Sequence, residues 1–135
     1  MFANCSMPGM DMAMPDVCMT PGVAAGAPGP LPYPNIAMKA MAIPPTASLK
    51  QFISFMPAHN MTTTISTTNG DQTGCSPGGV ASGIMMGPGR NTKGSTKVFT
   101  AGTPATRMLD NSMQNLTNAQ GMTLVPGQFK VLYLT

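Results

Sequence analysis

The chain has 135 residues, with 15 Gly, 14 Pro, no Glu and a net charge of +3. Gly and Pro stand at roughly twice their usual share and only 8% of residues are charged. This excludes a helix bundle or coiled coil, because solvated helix faces need Glu, Lys and Arg, and Pro breaks helices. With 42% hydrophobic residues the chain is not an ordinary disordered tail. Seven scattered basic residues without Trp or a basic cluster give no support to a nucleic-acid partner. What remains is a single, mostly β, loop-rich domain over 1–135, with little helix and a core of small side chains.

Taken in order, residues 1–20 are Met-rich, and PGVAAGAPGPLPYPN (21–35) reads as an extended, polyproline-like segment. Together 1–35 are expected to wrap the surface of hairpin repeats in 36–135. Residues 36–48 carry Pro44-Pro45, so any helix there is short. LKQFISFM (49–56) reads as a strand, MTTTIST (61–67) alternates like one, and Asn69-Gly70-Asp71 is a turn signal. Short strands are expected at Val80–Met86 and at TKVFT (96–100). Residues 109–121 are polar, and QFKVLYLT is an alternating strand to the chain end. Met1 to Met14 lacks a basic n-region and a continuous apolar run, so it is not a signal peptide. No apolar stretch approaches the ~18 residues of a membrane span. Three Cys cannot form a fully paired disulfide framework and suit a reducing compartment.

An offset of 47 residues exposes an internal repeat: KQFISFMPAHNM (Lys50 to Met61) lies on KVFTAGTPATRM (Lys97 to Met108), with Lys, Phe, Pro, Ala and Met coinciding. Each copy reads as strand, tight turn at Pro-Ala, strand. This implies approximate internal rotational symmetry. A third contact is expected from QFKVLYLT or from residues 36–48, neither of which aligns with the two copies.

The repeated motifs, Pro57-Ala58-His59-Asn60 and Pro104-Ala105-Thr106-Arg107, resemble the Pro-Ala-Ala-Arg motif of PAAR repeat proteins. Pro15-Asp16-Val17-Cys18, Pro32-Tyr33-Pro34-Asn35-Ile36-Ala37, Asn69-Gly70-Asp71 and Gly79-Val80-Ala81-Ser82-Gly83 extend the resemblance to the PAAR-like proteins found with bacterial type VI secretion systems. The resemblance implies a small cone of short β-hairpins with pseudo-threefold symmetry. It implies a base seated on the trimeric spike protein VgrG, one copy per trimer, and a point that sharpens the spike. It also implies a protein held in the cytoplasm until loaded and exported by the apparatus, with effector or adaptor proteins as possible cargo. A chain ending at Thr135 is expected to carry no C-terminal toxin extension. Phe129, Val131, Leu132, Tyr133 and Leu134 are the expected spike-binding residues.

Cys5, Cys18, His59 and Cys75 have the stoichiometry of a Cys3His zinc site, although their spacing contains no CxxC knuckle. The resemblance adds that PAAR tips hold a structural metal through His and Cys; Thr106 stands where a second His would match His59. The alternative is that the Cys are small buried hydrophobes and His59 a hydrogen-bonded turn residue. Met7, Met10, Met12 and Met14 have the thioether character that suits Cu(I), or they fill core gaps. A small soft-metal protein handling Cu(I) or Zn(II) is therefore the alternative function. An enzyme is not expected: the four Asp are scattered, Gly-x-Ser-x-Gly is absent, and Gly87-Pro88-Gly89-Arg90 has no helix behind it to cradle phosphate.

Overall fold

The computed structural model describes residues 1–134. Its elements are β1 (Met10–Ala24), β2 (Ala27–Met38), 3-10 turns at Lys39–Met41 and Pro44–Thr46, β3 (Ser48–Ile53), β4 (Met56–Ala58), β5 (Thr64–Ile65), β6 (Thr68–Asn69), β7 (Gly89–Asn91), β8 (Phe99–Thr100), β9 (Thr103–Pro104), β10 (Asn111–Gln114) and β11 (Ala119–Val125). Seven strands form one antiparallel sheet in the order β5-β7-β10-β11-β1-β2-β6, and the pairs β3-β4 and β8-β9 are separate hairpins. The outer strands β5 and β6 are neighbours in the chain, so the sheet curls until its edges nearly meet. No helix among the described residues is long and apolar enough to cross a membrane.

The two hairpins realise the 47-residue repeat. Phe52 pairs with Pro57 and Ile53 with Met56; Phe99 pairs with Pro104 and Thr100 with Thr103. The two-residue turns are Ser54-Phe55 and Ala101-Gly102, with positive φ at all four residues, the type I′ geometry that matches strand twist. The turns therefore precede the Pro-Ala motifs, and Pro-Ala leads into the next pairing instead of making the turn. Before each hairpin, Ser48 and Ser95 accept a hydrogen bond from the backbone N–H three residues on, Gln51 and Val98.

A third copy is split between the chain ends. Gln128 accepts from the Val131 N–H through its side-chain oxygen, as the two serines do. Leu132 bridges Phe2, in the place of Phe52 with Pro57 and Phe99 with Pro104. Tyr133 and Met1 exchange N–H to O=C bonds at 2.8 and 3.2 Å where the other copies have covalent turns. Phe2-Ala3-Asn4-Cys5 thus takes the place of the Pro-Ala motifs. The three motifs close a ring: the bridges are Cys5 with Ala58, Asn60 with Ala105, and Arg107 with Ala3. His59 N–H donates to Asn4 O, Thr106 N–H to His59 O, and Asn4 N–H to Thr106 O. Ala3, Ala58 and Ala105 are all buried, since strands this close leave no room for more than a methyl group.

Several expectations change. Residues 1–6 are the hub of the ring, not a surface wrap. Residues 21–35 are extended but paired, most of them in β2 against β1, because the Pro residues sit at positions whose missing N–H the ladder tolerates. Val80–Met86 forms no strand; Gly78 and Gly83 have positive φ and the backbone turns there. The polar 109–121 segment contributes β10 and much of β11, joined by a turn at Asn115-Leu116. Among the described residues, 128–134 pair only with the N-terminus.

The interior is polar. Among the described residues twice as many polar as hydrophobic ones are buried, 22 against 11, and no Met is among them. Lys39 and Asp11, both fully buried, pair at 2.7 Å, and their side chains have no further hydrogen-bond partner among the described residues. Leaving one partner alone in the interior costs about 3–5 kcal/mol, whereas an apolar pair of similar volume is often neutral. Lys39→Met should therefore lower the urea midpoint sharply, and Lys39→Met with Asp11→Leu should recover most of the loss. Equal destabilisation by the single and double variants would show that the charges do not act as a pair.

Candidate functional site

Two regions carry chemistry, and the ring separates them. On the outside of the ring, each copy exposes an apolar side chain at the same position: Phe52 is 60%, Phe99 55% and Leu132 52% exposed. Phe55, at the tip of the first hairpin, is almost wholly exposed, and Phe129 and Leu134 are also exposed. Phe129 meets Phe2 edge to face with centroids 5.1 Å apart. A groove between the first hairpin and the third copy is lined by Met7, Phe55, Phe129 and Lys130. Of the expected spike-binding residues, Phe129, Leu132 and Leu134 thus face outward, while Val131 and Tyr133 pack on the buried Ala3, Cys5, Ile53 and Ala58.

The second region lies where β1 runs away from the ring. Asp11, Ala13, Asp16 and Cys18 point inward. The register shifts between Ala13 and Asp16, so a bulge keeps Asp16 and Cys18 on the buried face despite the odd spacing. Asp16, Cys18 and Asp71 bring three ligand atoms within 4.8 Å of one another, all buried. Three amides surround them. Asn35 donates to Asp16 at 2.6 Å and to Thr68 at 3.0 Å. Asn115 donates to Asp71 at 2.8 Å, and Asn118 donates to Asp16 and to Val17 O. The Met86 N–H adds two bonds of 3.1 Å to Asp71. This network ties β1 and β2 to the irregular 71–87 segment and to the β10–β11 turn. Gly74 lies against the Cβ of Cys18, so a side chain there would collide with it.

The electrostatics are those of buried anions without a cation. Neither Asp16 nor Asp71 pairs with Lys or Arg among the described residues. Burial, then the two carboxylates, pushes the Cys18 thiol up to about 12. Burial likewise raises Asp71, partly offset by its hydrogen bond from Met86. An Asp-Cys-Asp group of this kind can hold a metal ion.

Cys5, Cys18, His59 and Cys75 do not converge. Cys5 and His59 lie in the ring, on facing segments; Cys18 is in the polar cluster, eight strand residues beyond the start of β1; Cys75 follows Gly74 but is exposed. Stoichiometry and the family resemblance pointed to them, and neither carries a distance. His59 bonds Ser6 at 2.9 Å. Burial, aided by the charge of Lys39, lowers it to about 3. Asp16, Asp71 and the three Asn were not singled out as a site. The available signal was Asp16-x-Cys18, two ligands two residues apart on one strand face.

Cys75 should react with a thiol reagent at pH 8 in the folded protein, whereas Cys5 and Cys18 should react only on unfolding; fast labelling of Cys18 would show the cluster is open. His59 has a depressed folded pKa, so its neutral form stabilises the fold fully above pH 6.5 and that contribution is lost as pH falls towards 3. Stability should drop over this window by up to about 1.4 kcal/mol per pH unit, measured by denaturant titration, with the slope missing in His59→Gln.

Comparison with known proteins agrees with this geometry. The family model described as Toxin PAAR-like domain matches residues 9–121. Comparisons with curated proteins and with solved structures returned no match. The match spans most of the sheet and both repeat motifs, and the chain belongs to the Toxin PAAR-like domain family.

Proposed function

We propose that the protein is a structural tip that caps the trimeric VgrG spike of a type VI or related contractile injection system, one copy per trimer. The observation that supports this best is the ring of three equivalent motifs, each with an exposed apolar residue at the same place: Phe52, Phe99 and Leu132. One chain thereby offers three similar edges to three identical subunits, and strand edges with alternating side chains are a recurrent docking mode. The role is mechanical and not enzymatic. The protein would wait in the cytoplasm, leave with the spike, and carry any effector or adaptor noncovalently.

A structural zinc ion is part of the proposal, at Asp16, Cys18 and Asp71 in place of the Cys3His set. The donor types fit a borderline divalent ion, which would neutralise two buried carboxylates and favour the thiolate. The competing function, soft-metal handling, has one observation of its own: Met10 faces Met38 and Met12 faces Met122 on the outer side of the sheet.

Native mass spectrometry of the protein, alone and with the spike trimer from the same genome, separates these. One copy per trimer is expected, and no complex would overturn the cap. One zinc mass, lost in Asp71→Asn, is expected on the free protein. Copper retained without trimer binding would favour metal handling.

A further inference from the structure

The threefold equivalence also aligns three lysines. Lys50 follows Ser48 by two residues, Lys97 follows Ser95 by two, and Lys130 follows Gln128 by two. Ser48, Ser95 and Gln128 are the three buried side chains that accept the N–H of Gln51, Val98 and Val131. Each lysine therefore rides on the same capped turn, just before the exposed Phe52, Phe99 or Leu132. All three lysines are exposed, and none pairs with a carboxylate among the described residues. The chain has seven basic residues, so three of them occupy one symmetric set. Among the described residues no free Asp balances them: of the four Asp, Asp11, Asp16 and Asp71 are buried inside the sheet and Asp110 is held by Arg107.

Resting on the docking face proposed above, we infer that its partner is a homotrimer whose docking end presents one acidic side chain per subunit, each meeting one of Lys50, Lys97 and Lys130. The groove of the third copy shows the arrangement: Lys130 stands at the edge of apolar walls made by Met7, Phe55 and Phe129. The pseudo-threefold relation puts Lys50 and Lys97 at the matching places in the other two copies, next to Leu49 and Thr96 where the third copy has Phe129. Apolar side chains fill the contact and supply burial. The lysines at its rim steer the trimer and fix its rotation, because like-charge juxtaposition is costly and opposite charge attracts over a Debye length. An asymmetric monomer on a symmetric platform has three rotational seatings, and equal charges at equivalent positions make all three productive.

The test measures affinity of the full chain for the spike trimer from the same genome, at low and high salt. Variants are Lys50→Glu, Lys97→Glu, Lys130→Glu, the triple reversal, and Arg90→Glu and Lys93→Glu as exposed changes outside the set. Each ring reversal is expected to weaken binding by roughly tenfold, by similar factors at the three positions, with the effect shrinking in salt. The triple reversal should abolish binding while circular dichroism stays that of the parent, and the two control changes should bind as the parent does. If the parent binds and the triple reversal binds as tightly, the acidic partner is refuted and the docking reading stands. If the parent does not bind the trimer, the docking reading itself falls, and this inference with it.

Discussion

Three backbone strands meeting around one axis are the constraint on which the rest of the molecule depends. Each motif donates from the third of its residues to the next motif and accepts from the previous one, so the hydrogen bonds run in one direction around the ring. At the bridge positions of such a ring the residues Ala3, Ala58 and Ala105 are small and buried. The ring also fixes what each copy can show to the outside: a capped turn, an exposed apolar residue, and a hairpin end. The proposed docking to a trimer follows from this geometry, not from any single side chain.

The polar interior follows from the same constraint. A narrow ring and a tightly curled sheet have little volume, and large apolar side chains would not fit between strands so close. Asn, Asp, Ser and Thr fill the space and bond to backbone groups that short, irregular segments leave unpaired. The cost is buried charge. Lys39 answers Asp11, whereas Asp16 and Asp71 are answered by amides and the Cys18 thiol. A network of this kind holds one arrangement because every alternative strands a polar group.

The sequence made part of this legible. Lys, Phe, Pro, Ala and Met recur at a fixed offset because both intact copies are uninterrupted chain, so the equivalence of the two hairpins could be read directly, while their turns, expected at Pro-Ala, lie two to three residues earlier. Of the third copy only the first half was legible, as QFKVLYLT was one of two candidates for it; its second half is at the N-terminus, and no gapless offset joins the two. Ala3 and Gln128 look ordinary until Ala58 and Ser48 show what they replace. The polar cluster was half legible. Asp16, Cys18, Asn35 and Asp71 all lie in segments that resemble the family, but Asn115 and Asn118 come from a polar stretch with no periodicity. The cysteines suggested a single metal site by number, while the fold sends Cys18 away along β1 and turns Cys75 outward.

Where two corners of the ring are covalent turns, the third is a seam between Met1 and Tyr133. Anything fused to either end therefore emerges at that one corner, beside Leu132, and leaves the corners of Phe52 and Phe99 clear. A passenger attached there would break the equivalence of the three seatings, because only one subunit of a trimer would sit next to it. The hub is thus near-threefold in the apolar positions it exposes and one-sided towards whatever is tied to its ends.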